Sequence, residues 1–98
     1  MISSDQIDQL QNLQLMVLIG SRQTGIRLYH DAQAWRDGAV WSAVRAVDDD
    51  CAPMFSSTVA IGPDGHESAI TGNAANLTQQ RDQLAEWIAA NRISEEAA

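Results

Sequence analysis

The chain has no lysine, one cysteine, one phenylalanine, one tyrosine and two prolines, and its longest apolar run is Leu15 to Ile19. Each scarcity excludes something. A lone Cys51 cannot close an intrachain disulfide. The run ending at Ile19 falls far short of the roughly 20 apolar residues that span a bilayer. No basic stretch followed by an apolar run and a small-residue cleavage site opens the chain, so we expect cytoplasmic residence and no membrane partner. Without a secretion signal the sequon Asn76-Leu77-Thr78 has no consequence. The absence of lysine also bears on Gly20-Ser21-Arg22-Gln23-Thr24-Gly25, which has the glycine spacing of a phosphate-binding P-loop. Ile26 and Arg27 stand where that loop needs Lys and Ser or Thr, and a strand pattern follows where a helix is required. We read the segment as a plain helix-to-strand loop.

What is present describes one modest domain. At 98 residues a single domain buries roughly 65% of its unfolded surface. Apolar residues, 45% of the chain, are spread along it, which argues against wholesale disorder; only Ser94 to Ala98 read as a frayed tail. All basic residues are Arg, and 13 carboxylates bring the net charge to -7. Arg-only, Ala-rich usage suits a GC-rich bacterial or phage genome. The charge is lopsided, because Arg22, Arg27, Arg36 and Arg45 outnumber Asp31 and Asp37 in the middle while most carboxylates follow Val47. Such a field repels nucleic acid and anionic membranes and favours basic partners.

Ser3 and Gln6 form a capping-box pattern, and Ile7, Leu10, Leu13 or Gln14, Val17 and Leu18 recur at helical spacing up to Gly20. The pattern predicts a helix from about Ser4 to Ile19, with a strand over Leu13 to Ile19 as the alternative. Leu15, Met16 and Ile19 fall off the stripe and need cover on a second side. Two Asp-Gly pairs, Asp37-Gly38 and Asp64-Gly65, each between apolar-alternating runs, predict two β-hairpins. In the first, a two-residue loop puts Ile26, Leu28, Ala32, Ala34, Trp41, Ala43 and Val47 on the core face. A three-residue loop Arg36-Asp37-Gly38, with Gly38 left-handed, reverses the parity and brings Trp35 and Trp41 together. Sequence does not choose between these, and Ala39 to Val47 also reads as a short Ala-rich helix. In the second hairpin Pro63-Asp64-Gly65 is the loop, so Val59, Ile61, Ala69 and Thr71 share a face, and its lower apolarity places it toward a sheet edge. Asn76 caps a closing helix to about Asn91 with Leu77, Leu84 and Ile88 inward and Trp87 at the margin. The expected fold is α+β, one domain of order α-β-β-β-β-α, with an antiparallel four-stranded sheet and helices on one face.

Chemistry-bearing residues are sparse. Asp48, Asp49 and Asp50 suggest a cation site, but adjacent carboxylates splay apart and the spaced ligands of a calcium loop are missing, so we read a solvated acidic loop. Cys51, His30 and His66 form no nucleophile-base arrangement or zinc spacing. We place His30 in a strand near Arg45 and His66 after a turn. We expect no cofactor, no metal and no catalysis. The preferred reading is a non-enzymatic, acidic protein that recognises another protein, in the form of a nucleic-acid mimic from a phage or mobile element whose partner has a basic surface. Its contact residues would be Asp48, Asp49, Asp50, Asp64, Glu67, Asp82 and Glu86, with Trp35 and Tyr29 as anchors, since Trp and Tyr dominate protein-binding hot spots. One alternative is a homo-oligomer joined through Leu15, Met16 and Ile19 of helix 1. Another is a small-molecule-binding or enzymatic sheet using Arg27, Tyr29, His30 or Arg45.

Overall fold

A computed structural model describes residues 2–93; the tail predicted at Ser94 to Ala98 lies outside them. Helix α1, Ser4–Thr24, is followed by strands β1 (Arg27–Ala34), β2 (Val40–Val47), β3 (Pro53–Ile61) and β4 (Glu67–Thr71) and by helix α2, Leu77–Asn91. The strands form one antiparallel meander in the order β1-β2-β3-β4, so the expected α-β-β-β-β-α architecture holds. Ala39 to Val47 supplies β2, not a helix, because its alternating side chains find partners on both sides of a central strand.

Helix α1 starts as predicted. The Ser3 hydroxyl accepts from the Gln6 amide at 3.1 Å while the Gln6 side chain accepts from the Ser3 amide at 2.9 Å. The predicted stop at Gly20 is corrected: the helix runs through it to Thr24, and Gly25 takes the left-handed conformation (φ 69°) that ends it. Interior glycine costs a helix roughly 0.5–1 kcal/mol, and close approach explains its presence here. A β-carbon on Gly20 would lie 2.5 Å from Ile88 Cδ1 and 3.2 Å from Leu28 Cδ1. The inward line is also corrected, since Gln6, Leu13, Val17, Gly20 and Thr24 are buried while Ile7 and Leu18 are exposed. In a helix apolar nearly all round, contact with α2 through Gly20 decides which line faces in.

Three hairpin loops share one backbone design. In each, the residue before the loop donates its amide to the carbonyl of the residue after it: Trp35 to Ala39, Asp48 to Ala52 and Gly62 to His66. The third loop residue donates back to that first carbonyl, and this residue is left-handed in all three, Gly38 (φ 95°), Cys51 (φ 63°) and Gly65 (φ 87°). The three-residue alternative for the first hairpin is therefore the observed one, with Ala34 opposite Val40 and Gln33 opposite Trp41. Parity follows from that. Leu28, His30, Ala32 and Ala34 share the helix-covered face with Val40, Ser42, Val44 and Ala46, and Trp41 and Ala43, expected in the core, lie on the opposite face. β4 is an edge strand, as predicted, and pairs Ala69 with Val59 and Glu67 with Ile61. A register shift between Thr58 and Val59 then sets Thr71 opposite Thr58, which removes Thr71 from the face assigned to it.

The core lies between the sheet and both helices, with Leu13, Val17, Val44, Val59, Ile61, Leu77 and Leu84 at its centre. Asn76 caps α2 by accepting from the Gln79 amide at 2.8 Å. Leu77, Leu84 and Ile88 face inward as predicted, joined by Gln80, and Trp87 packs at the margin against Phe55 with ring centroids 5.9 Å apart.

Candidate functional site

The helices cover one face of the sheet, and among the described residues no element covers the other. Strand alternation puts Arg27, Tyr29, Asp31, Gln33 and Trp35 of β1 and its turn on that open face, beside Trp41, Ala43 and Arg45 of β2. Thr58 and Ala60 of β3 continue it. Trp35 and Trp41 meet edge to face with centroids 5.6 Å apart and planes at 71°, a favourable aromatic geometry. Both remain substantially exposed, at 47% and 37%, as do Tyr29 at 41% and Ile70 at 49%. A depression of about 380 Å³ is bounded by Tyr29, Asp31, Trp41, Arg45, Thr58 and Ile70, with Trp35 outside it against Trp41. A second hollow beyond Tyr29 and Arg45 reaches Cys51, so the face carries a shallow trough along β1 and β2. Within an acidic chain this is a cationic patch, with Arg27 and Arg45 set against Asp31. Of the predicted anchors, Trp35 and Tyr29 stand here. Trp41 was missed, and the left-handed Gly38 was the signal that would have found it.

The predicted acidic contacts do not converge. Asp48, Asp49 and Asp50 belong to the β2-β3 loop, whereas Asp64 occupies the β3-β4 turn at the other end of the meander. The nine-residue strand β3 separates these two turns by about 30 Å. Several of these carboxylates already have structural partners. Asp48 Oδ1 accepts from the Asp50 and Ala52 amides, both at 2.9 Å. Asp64 Oδ1 accepts from the His66 amide at 3.0 Å, a bond that holds this carboxyl below its ordinary pKa. Glu67 accepts from the Leu77 amide at 2.6 Å and from Gln6 Nε2 at 2.8 Å, tying β4 to the first turns of both helices. Asp82 pairs with Arg81 at 3.1 Å on the exposed side of α2, and Glu86 is exposed on the same helix.

The residues considered for catalysis are likewise dispersed. Arg27, Tyr29 and Arg45 share the open face, while His30, in a strand near Arg45 as expected, pairs in register with the adjacent Val44 and points to the other side. Cys51 Sγ accepts from Arg27 Nη2 at 3.1 Å, and His66 follows the turn at the far end. Among the described residues no group of three His, Cys, Asp or Glu stands close enough to hold a metal ion.

One pair has the outline of a hydrolytic dyad: His30 Nε2 lies 2.8 Å from Ser42 Oγ. Its proton order is the reverse of what a nucleophile needs. Gln80 Nε2 donates to the Ser42 and Ser57 carbonyls at 2.9 and 3.0 Å, so its Oε1 must face Ser42 and accept the hydroxyl proton at 2.9 Å. Ser42 Oγ then accepts from His30 Nε2–H, and a base cannot take from serine a proton already given elsewhere. Ser42 is also wholly buried. Gln14 faces the remaining ring nitrogen at 3.2 Å; with the proton on Nε2 that nitrogen accepts in the neutral ring, so the Gln14 amide turns its N–H toward it. Burial lowers the His30 pKa against the smaller opposing field of Asp31. The five side chains Gln14, His30, Ser42, Gln80 and Ser57 thus form a polar thread through the core that joins both helices to the sheet, a role sequence reading did not anticipate.

No helix among the described residues is long and apolar enough to cross a membrane. No protein-family model, curated protein or solved structure matches the chain.

Proposed function

We propose that this chain is a non-enzymatic protein-binding module whose contact surface is the helix-free face of its sheet. The observation that carries this reading is the group of half-exposed Trp41, Tyr29 and Ile70 around one depression, with Trp35 stacked edge to face on Trp41 beside it. Large amphipathic rings beside arginine have the composition of interaction hot spots. A complementary partner offers an apolar side chain to the depression and a carboxylate to Arg27 or Arg45. The acidity expected to form the contact is spread over both ends of the meander and the outside of α2, where it discourages nucleic acid from approaching. Asp31 at the centre of the face acts in the same sense against a phosphate backbone.

The test compares capture of partners from lysate by the wild-type chain, by Trp41→Ala/Tyr29→Ala, by Arg45→Glu and by Asp48→Asn/Asp49→Asn/Asp50→Asn. We expect capture to be lost in the two sheet-face variants and kept in the loop variant. Loss in the loop variant alone would return the contact to the acidic surface. Saturable quenching of tryptophan fluorescence by a single-stranded oligonucleotide would make the face a base-stacking platform and refute the protein-binding reading.

A further inference from the structure

We infer that the outer face of α1 binds a second copy of this chain, antiparallel to it, about a two-fold axis at Leu15. Asp8, Gln11, Leu15, Leu18 and Arg22 follow each other at alternating intervals of three and four and are all exposed, so they form one seam of the kind that pairs helices. Leu15 and Leu18 are 53% and 60% exposed, and Ile19 beside them 47%. Those are high values for aliphatic side chains grouped on one face.

The seam is self-complementary in one direction only. Asp8 stands seven residues before Leu15 and Arg22 seven after. An antiparallel pairing centred on Leu15 sets each Asp8 against the second copy's Arg22, whereas a parallel pairing sets like charges together. Antiparallel helices also align their dipoles favourably. The only ion pair among the described residues is Arg81 with Asp82, so both charges of the seam are free for this use.

The face continues onto α2 through a groove of about 200 Å³ lined by Met16, Ile19, Gly20, Ala85, Ile88 and Ala89, with Gln23 and Arg92 also on its lining. Its small residues allow a second helix layer to come close. Two helices lying side by side, of 21 and 15 residues, offer on the order of 500 Å², against about 800 Å² per partner in a standard interface. The association is therefore expected to be reversible at micromolar concentration. It leaves both open sheet faces pointing outward, so a dimer would be bivalent. That consequence rests on the proposed function; the dimer itself does not.

Light scattering on the eluting protein at about 200 μM reads the result directly. We expect twice the 10.7 kDa of one chain, one chain's mass for Leu15→Glu/Leu18→Glu with an unchanged far-UV spectrum, and unaltered dimer for Trp41→Ala. Asp8→Arg should weaken association roughly tenfold, and Asp8→Arg with Arg22→Asp should restore it. A monomeric wild-type chain, a dimer that survives Leu15→Glu/Leu18→Glu, a dimer lost with Trp41→Ala, or no rescue by the double charge reversal would each overturn the inference. None of these masses depends on whether the sheet face binds another protein.

Discussion

Replacing Gly20 by alanine is the most direct test of how the two helices and β1 meet. On an exposed helix this change stabilises by roughly 0.5–1 kcal/mol, because glycine loses more backbone freedom on folding than alanine. Here the new methyl group would lie 2.5 Å from Ile88 Cδ1, 3.0 Å from Ile88 Cγ1 and 3.2 Å from Leu28 Cδ1. Ile88 is 7% exposed and β-branched, so in a helix χ1 holds its Cγ1 in place and only Cδ1 can turn aside, about χ2. Forcing one extra methyl group into such packing typically costs about 1–3 kcal/mol. Subtracting the helix gain leaves a net loss of about 1–2 kcal/mol. In a chain of this size that lowers Tm by roughly 4–8 °C per kcal/mol.

Urea unfolding followed by tryptophan fluorescence and far-UV dichroism measures the loss. Ile88→Val supplies the control, because it deletes the Cδ1 atom that makes the nearest contact. Alone it should cost about 0.5–1.5 kcal/mol; combined with Gly20→Ala it should cost less than the sum of the two, by about 1 kcal/mol of coupling. Stabilisation by Gly20→Ala, or additivity of the pair to within about 0.5 kcal/mol, would refute the close approach of α1 and α2.

The loop comparison predicts a pair of opposite effects. Cys51→Gly should stabilise by about 0.5–1 kcal/mol by relieving a left-handed non-glycine residue, while Gly38→Ala, which meets nothing within 4 Å, should cost about 1–2 kcal/mol for backbone conformation alone; equal midpoints in urea would refute both. Because burial lowers the His30 pKa below its ordinary 6.5, the unfolded chain binds the extra proton first. Stability should be full above about pH 6.5 and fall as the pH drops through the folded value. Urea midpoints between pH 7.5 and 5 should show that slope in the wild type and a smaller one in His30→Gln, and equal slopes would count against it. Gln80→Leu should cost about 1–3 kcal/mol by stripping hydrogen bonds from buried groups on β2 and β3, and Gln80→Glu more, since a carboxylate cannot donate to the Ser42 and Ser57 carbonyls; a stabilised Gln80→Leu would overturn the assignment.

Sequence made the elements legible where local chemistry alone decides them. The Ser3-Gln6 box, the Asn76 cap and the two Asp-Gly turns each satisfy backbone groups within a few residues, and each appears where predicted. Features decided by tertiary contact were not legible. Gly20 resembles a helix stop until Ile88 is known to cross it, and the inward line of α1 depends on the same crossing. The sidedness of Trp41 rested on one residue of loop length, since a shift by one exchanges the faces of a strand. That single ambiguity hid the open face from sequence reading, although Trp35 and Tyr29 were already marked. The carboxylates show the converse limit. Composition counts Glu67 and Asp64 with the solvated acids, but their hydrogen bonds make one a clasp between β4 and both helices and the other a turn former.

The polar thread from Gln14 to Ser57 bears on how so small a chain keeps a flat face in order. A purely aliphatic contact between α2 and the sheet would allow the helix to slide along β2 and β3, because apolar packing tolerates substitution and loses uniqueness before it loses stability. Gln80 prevents this by reaching two strands at once, with its amide nitrogen on carbonyls of both Ser42 and Ser57 and its oxygen on the Ser42 hydroxyl. No side-chain nitrogen or oxygen buried among the described residues lacks a hydrogen-bond partner, so the thread meets the condition under which a buried network rigidifies a core. The register of β2 against β3 sets where Trp41 stands relative to Tyr29, Thr58 and Ile70 on the other side of the sheet. A surface held in place from behind loses little freedom when it is covered, which is how preorganisation raises affinity without adding a contact. The helix side of the sheet thus determines the geometry of the open side, although no residue of the thread reaches it.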